Sequence, residues 1–249
     1  MAGVIPKKRT AKSAERIVRG GSSVGDLTLQ DAVAVFSPLY AVREQLSDPL
    51  ALIVWENIGY LIDDERRNSL FEEFLDRIGL EPARIANAAM PVLTDIARRG
   101  GMNPQTRVER LKRIGELAIA ECDGDLAGRL RSLPLAKART LLKKFPAIGD
   151  PGADKILLFA GIVVLPALDS NGVRALVRMG FCAEEKSYAQ TCRAAIAVLA
   201  KDGKPDAAWL KRAYAILREH GKALCKRSAP ICEPCPLDRQ CAHRTVSRL

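Results

Sequence analysis

Prolines at 38, 49, 82, 91, 104, 134, 146, 166 and 205 cut the chain at intervals suited to helices of three or four turns. Between these breaks apolar residues recur at steps of three and four. Val108, Leu111, Gly115 and Ala118 do so, as do Ile58 and Leu61, and again Leu70, Phe74 and Ile78. No run of alternating Val, Ile, Thr or aromatic residues closes on an Asn-Gly or Asp-Gly turn, so strands are not expected. The pattern predicts an all-α protein of about ten helices. At 249 residues, 48% hydrophobic and 27% charged, the chain can fill one large core or two small ones.

The longest uncharged stretch, residues 156–168, is broken by Pro166 and is too short to span a bilayer. The start, MAGVIPKKRTAKSAERIVRGGSS, is basic without an apolar centre, and reads as a flexible arm over residues 1–25, not as a signal peptide. A cytoplasmic, nucleoid-associated monomer with no membrane partner is expected. The formal charge of +10 gathers at the ends. Residues 1–20 hold six Lys or Arg against one Glu, and residues 201–249 hold eleven against five acids. Clustered cations favour a phosphate backbone, because each contact releases counterions.

Four cysteines stand close together as Cys225-x6-Cys232-x2-Cys235-x5-Cys241, beside Lys226, Arg227, Arg239 and Arg244. Seven cysteines, an odd number, with no secretory leader argue against disulfides. Four thiolates can hold one metal centre. Zinc is a serious rival, but its four-cysteine sites usually pair two close Cys-x2-Cys units, and only Cys232 and Cys235 are that close here. A cubane iron–sulfur cluster suits the wider spacing better. Cys122, Cys182 and Cys192 fall at core-like positions on expected helices and carry no assigned role.

This spacing resembles the cluster loop of the endonuclease III and adenine-mismatch enzymes in the helix-hairpin-helix superfamily of DNA glycosylases. The resemblance implies a 4Fe–4S cluster at Cys225, Cys232, Cys235 and Cys241 that braces a phosphate-contacting loop, and admits a monovalent cation at the hairpin. It spans about residues 30 to 245. It implies a two-lobed fold, with a helical barrel over residues 46–164 and a cluster lobe built from 26–45 and 165–249, its cysteine loop at 225–241. Double-stranded DNA carrying a damaged or mismatched base would lie across the cleft between the lobes.

Residues 135–161, LAKARTLLKKFPAIGDPGADKILLFAG, read as two helices around a Pro/Gly turn. The turn would present backbone amides to a phosphate oxygen while Ile148 anchors it. Read alone, such a turn is a plain connector; it also resembles the superfamily's hairpin. The DNA contacts implied are Lys143, Lys144, Ala147, Ile148, Gly149 and Gly152. Ala147 stands where the superfamily has glycine, which weakens the closest backbone approach.

Downstream, Leu168-Asp169-Ser170-Asn171-Gly172-Val173-Arg174 resembles the segment bearing the superfamily's catalytic aspartate. Breaking an N-glycosidic bond builds positive charge on the deoxyribose, and a fixed carboxylate at Asp169 would stabilise it and help activate water. The plainer reading makes Asp169 a helix cap. Bifunctional members place a Schiff-base lysine where this chain has Pro151, so that lyase step is not expected. Lys155, one turn on, is expected to face phosphate or solvent.

Glu56 lies in an otherwise uncharged stretch from Pro49 to Ile62, at a place resembling the catalytic glutamate of adenine-mismatch glycosylases. Desolvation would suit it to protonate a departing base; a charge pair on an amphipathic helix is the alternative. Where that family has a glutamine wedge this chain has Tyr60 and Leu61, candidates to fill the gap left by a flipped base. The expected function is a monofunctional DNA glycosylase of base excision repair. An endonuclease III-type lyase and a non-catalytic DNA-binding protein are the alternatives. The end of the chain shortly after Cys241 leaves no room for the further domain of adenine-mismatch enzymes, which argues against that specificity.

Overall fold

A computed structural model describes residues 27–42, 46–201 and 206–246. The basic arm expected over residues 1–25 lies outside them. The described residues form helices α1 (Leu29–Phe36), α2 (Pro49–Ile58), α3 (Asp64–Arg77), α4 (Pro82–Ala86), α5 (Met90–Arg99), α6 (Pro104–Cys122), α7 (Leu126–Arg131), α8 (Leu135–Leu142), α9 (Asp150–Phe159), α10 (Ser170–Met179), α11 (Tyr188–Lys201), α12 (Ala207–Ala223) and α13 (Ala242–Val246). The fold is all-α. One isolated bridge, Tyr60 to Gly101, is the sole extended pairing among the described residues. Among them, no helix is long and apolar enough to cross a membrane.

The chain divides into two compact units, one of Gln45–Val164 and one of Met1–Glu44 with Leu165–Leu249. The first is built around α6, where Val108, Leu111, Ile114 and Ala118 are fully buried. Burying each large aliphatic chain is worth about 1.5–3 kcal/mol. Gly115 lets α4 lie directly on α6, since a Cβ there would meet the Ala86 nitrogen at 2.5 Å and the Pro82 oxygen at 2.7 Å. Helix α2 begins where Asp48 accepts a hydrogen bond from the Ala51 amide at 2.7 Å, with Pro49 in the first turn. It is apolar almost all round, and correspondingly buried along nearly its whole length.

The spacing that joined Leu61 to this helix does not hold. The helix ends at Ile58, and Leu61 sits beyond it in left-handed backbone (φ 58°) with 72% of its surface exposed. The pairing of Tyr60 with Gly101 pulls this segment out of helical geometry.

The second unit centres on α10 and α12. Val173, Ala175, Leu176 and Met179 face Leu210, Ala213, Ile216 and Leu217 in one core. Gly221 permits the close crossing, because a Cβ there would stand 2.6 Å from the Asn171 carbonyl oxygen. Helix α1 opens on a capping box between Thr28 and Asp31 and buries Phe36 completely. Cys122 and Cys192 are buried in their helices as expected. Cys182 is not on a helix but in the bend after α10, where it is half-buried.

Candidate active site and cysteine-lined recess

In the first unit α8 and α9 form a hairpin joined by Phe145–Gly149. Arg139 and Asp154 clamp its two helices through paired hydrogen bonds of 2.6 and 3.0 Å. Phe145 and Ile148 are buried and pin the turn, and Asn57 on α2 donates to the Pro146 carbonyl at 2.9 Å. Ala147 is held at φ 60°, a conformation that costs a residue with a Cβ about 1–2 kcal/mol. Helix α9 has no side-chain cap, and among the described residues the amides of Ala147 and Gly149 find no acceptor. Lys143 and Lys144 flank the turn. They are engaged with Asp150 at 2.8 Å and Glu121 at 2.7 Å, in exposed pairs weak enough to exchange for another anion.

Glu56, also in this unit, is not the isolated carboxylate that its sequence surroundings suggested. Lys155 on α9 donates to it at 2.6 Å. Lys155 does not face phosphate or solvent either, for its side chain is only 7% exposed and its ammonium lies 4.7 Å from the centre of the Trp55 ring. Arg67 stands over the same ring at 4.6 Å. The cost of desolvating an ammonium accounts for this arrangement, since a carboxylate and an aromatic face replace its water. Tyr60 is half exposed beside the open Leu61.

In the second unit Asp169 caps α10. Its carboxylate accepts from the Gly172 amide at 2.8 Å, the Asn171 amide at 3.0 Å and the Asn171 side-chain amide at 2.9 Å. Arg218 on α12 approaches it at 3.5 Å and also holds Glu219 at 2.7 Å. The group is fixed in one rotamer by several donors, the state a carboxylate needs to oppose a developing cation without reorganising.

The other end of α10 builds a second feature. Cys225, Cys232, Cys235 and Cys241 line one recess, together with Arg178, Arg244, His220 and His243. Arg178 reaches the Cys225 sulfur at 3.6 Å and the carbonyls of Lys226 and Arg227 at 2.6 and 2.8 Å. Arg174 holds the Cys225 carbonyl at 2.9 Å and that of Gly221 at 2.7 Å. One helix thus carries Asp169 at its start and braces the cysteine loop at its end.

Burial raises the Cys241 thiol, against the lowering effect of the neighbouring Arg244 and His243 amides, and the Leu237 amide acts in the same lowering sense on Cys235. Burial, with the three neighbouring cysteines, pushes the Cys235 thiol up to about 12. Amides and guanidinium groups directed at clustered sulfurs are the surroundings that thiolate ligands require. Among the described residues no three His, Cys, Asp or Glu side chains are drawn together as a single-ion site.

No protein-family model matches the chain. It is 27% identical over 191 residues to a thymine/uracil-DNA glycosylase of Pyrobaculum aerophilum, covering 76% of this chain and 78% of that one. A thymine-DNA glycosylase of Aeropyrum pernix is 28% identical over 79% of this chain and 83% of its own. An endonuclease III of Sulfolobus acidocaldarius is 23% identical over 70% and 72%. Among solved structures, endonuclease III in a trapped covalent complex with DNA superposes with a TM-score of 0.69 at 19% identity, covering 90% of this chain and all of that one. A thermostable thymine-DNA glycosylase gives 0.67 at 14%, covering 95% and 99%. The chain is thus similar in sequence to DNA glycosylases named for thymine and uracil and to an endonuclease III, and it shares the all-α fold of the solved endonuclease III and thymine-DNA glycosylase.

The sequence pointed to the hairpin, Asp169 and the cysteines as candidates, but not to Arg174, Arg178, Arg218 and His220, which the structure places around them. Arginines recurring four residues apart on α10 were a readable sign of one helical face. The approach of Arg218 to Asp169 and the contact of His220 with Tyr40 are set by tertiary packing.

Proposed function

We propose that the chain is a DNA glycosylase that hydrolyses the N-glycosidic bond of a flipped, damaged or mismatched base and leaves an abasic site. The observation that carries this reading is the Asp169 carboxylate, immobilised by two backbone amides and Asn171. In the proposed reaction the amides of Ala147 and Gly149, with Lys143 and Lys144, hold backbone phosphates, and Tyr60 with Leu61 fills the gap in the stack. The C1′–N bond breaks and its electron pair leaves with the base. Asp169 opposes the positive charge on the sugar and orients the water that adds to C1′; the proton this water loses passes to the Asp169 carboxylate and on to the departing base, which leaves neutral. Glu56 enters as one half of its pair with Lys155, close to the hairpin through the neighbouring Asn57.

Pro151 has no nucleophile, which supports a monofunctional enzyme. Cys225, Cys232, Cys235 and Cys241 would hold a 4Fe–4S cluster, consistent with the sulfur-directed donors around them, and the cluster's contribution is to brace the loop. A monovalent cation at the hairpin belongs to the same proposal, as do the monomeric state and a cytoplasmic, nucleoid-associated location. Uracil and thymine lead the candidate bases, because two relatives carry them in their names.

The test is excision on duplexes holding uracil, thymine, hypoxanthine, alkylated purines, oxidised pyrimidines or adenine opposite 8-oxoguanine, read with and without hot alkali. Cleavage only after alkali supports a monofunctional enzyme and names its base. The bifunctional reading is favoured by the endonuclease III relative; it requires borohydride to trap protein on an abasic duplex. Tight binding with no excision anywhere on the panel would favour a non-catalytic role, to which Pro151 and the missing glutamine wedge also point.

A further inference from the structure

The chain has two histidines, and both line the cysteine recess. His220 is the deeper, 2% exposed on α12. One face of its ring is stacked on Phe36, with centroids 3.9 Å apart and planes at 13°. Its Nδ1 lies 3.0 Å from the Tyr40 hydroxyl. Its backbone carbonyl accepts from the amides of Leu224 and Cys225 at 3.0 and 2.9 Å, so the residue that sets this ring also sets the first cysteine.

Buried between Phe36 and the Tyr40 hydroxyl, surroundings that disfavour an imidazolium, the ring is neutral with one N–H. Among the described residues the Tyr40 hydroxyl has no other acceptor, which makes Nδ1 the acceptor and leaves the ring proton on Nε2. With Nδ1 engaged and one face covered, Nε2–H is the remaining polar edge of a ring that lines the recess shared by the four cysteines.

We infer that His220, fixed in this tautomer by Tyr40, is the hydrogen-bond donor that the recess directs at a sulfur of the metal centre, and so a positioning residue that tunes the centre. This rests on the iron–sulfur reading above. A donor on sulfur favours the more electron-rich reduced state, and so raises the reduction potential.

The experiment uses the full chain as wild type, Tyr40→Phe, His220→Phe and His220→Gln. Iron and sulfide content come first, and the reduction potential of the centre second. With iron bound in all four, the expected result is a more negative potential in His220→Phe, partial recovery in His220→Gln through its amide N–H, and a smaller negative shift in Tyr40→Phe. Equal potentials in all four, with iron retained, overturn the inference and leave the cluster reading standing. Zinc, or no metal, in the wild type overturns both. Should His220→Phe fail to load iron, wild type and His243→Gln labelled with 15N-histidine decide the matter by pulsed magnetic resonance of the oxidised centre. A nitrogen coupling that persists without His243 supports the inference, and none overturns it.

Discussion

Two helix N-termini in this molecule solve the same electrostatic problem in opposite ways. Helix α10 begins with its own anion, Asp169, which satisfies the amides of Asn171 and Gly172. Helix α9 begins at Gly149 with no side-chain cap, and the amides of Ala147 and Gly149 find no acceptor among the described residues. Both ends carry the partial positive charge of aligned peptides. The capped end has its amides satisfied within the chain, whereas the open end leaves two amides for an external anion. The proposed glycosylase reaction would use both, one to oppose the sugar cation and one to hold the phosphate.

The sharpest way to break this contrast is Asp169→Asn. Asparagine caps a helix about as well as aspartate, so the thermal midpoint should stay nearly unchanged while single-turnover excision falls at least about 100-fold. If stability falls and excision persists, Asp169 is a cap and nothing more. The converse change, Gly149→Asp, gives α9 the anion it lacks. Its φ of −98° accepts a side chain and a Cβ would touch only Pro151 at 3.9 Å. The new cap should stabilise the free protein by up to about 1 kcal/mol. It should also weaken binding to an abasic-analogue duplex by about 10-fold, because a carboxylate now competes with the phosphate. Tighter binding, measured at fixed salt, would remove the hairpin from the DNA contact.

Sequence reached these two ends unequally. Asp169 was legible because a carboxylate before Ser170-Asn171-Gly172 has local partners, two and three residues away, fixed by the helix that follows. The helices themselves were legible for the same reason, since apolar spacing such as Val108, Leu111 and Ala118 is a local record of a buried face. The partner of Glu56 was not legible, because Lys155 lies 99 residues further along the chain. An uncharged stretch of sequence says nothing about which cation folds back onto it. The cysteine spacing showed that four sulfurs gather, but the arginines and His220 around them come from other helices, so their roles appear only once α10 and α12 are packed.

The open turn offers a smaller test. Ala147 occupies left-handed backbone, so Ala147→Gly should stabilise the protein by about 1 kcal/mol and bind DNA somewhat more tightly, through a closer approach of the turn to phosphate. A destabilised variant would mean that the Ala147 methyl packs against something that outweighs its strain.

The smallest effect concerns a third carboxylate, held neither by amides nor for a ligand. Glu73 on α3 meets Arg99 at 2.6 Å and Arg77 at 2.6 Å, and these guanidinium groups, Arg99 foremost, lower it to about 2. A depressed carboxylate stabilises the folded state above its ordinary value of about 4.3 and loses that contribution as pH falls toward 2. The pair network is partly open to solvent, so Glu73→Gln should cost only about 1 kcal/mol at neutral pH and low salt. Denaturant midpoints of the variant and the wild type should converge between pH 4 and 2, in contrast with Asp169, whose replacement by asparagine should leave the midpoint alone and remove the chemistry. A gap that persists unchanged at the acid end would show that Glu73 stabilises α3 by packing and not by its charge.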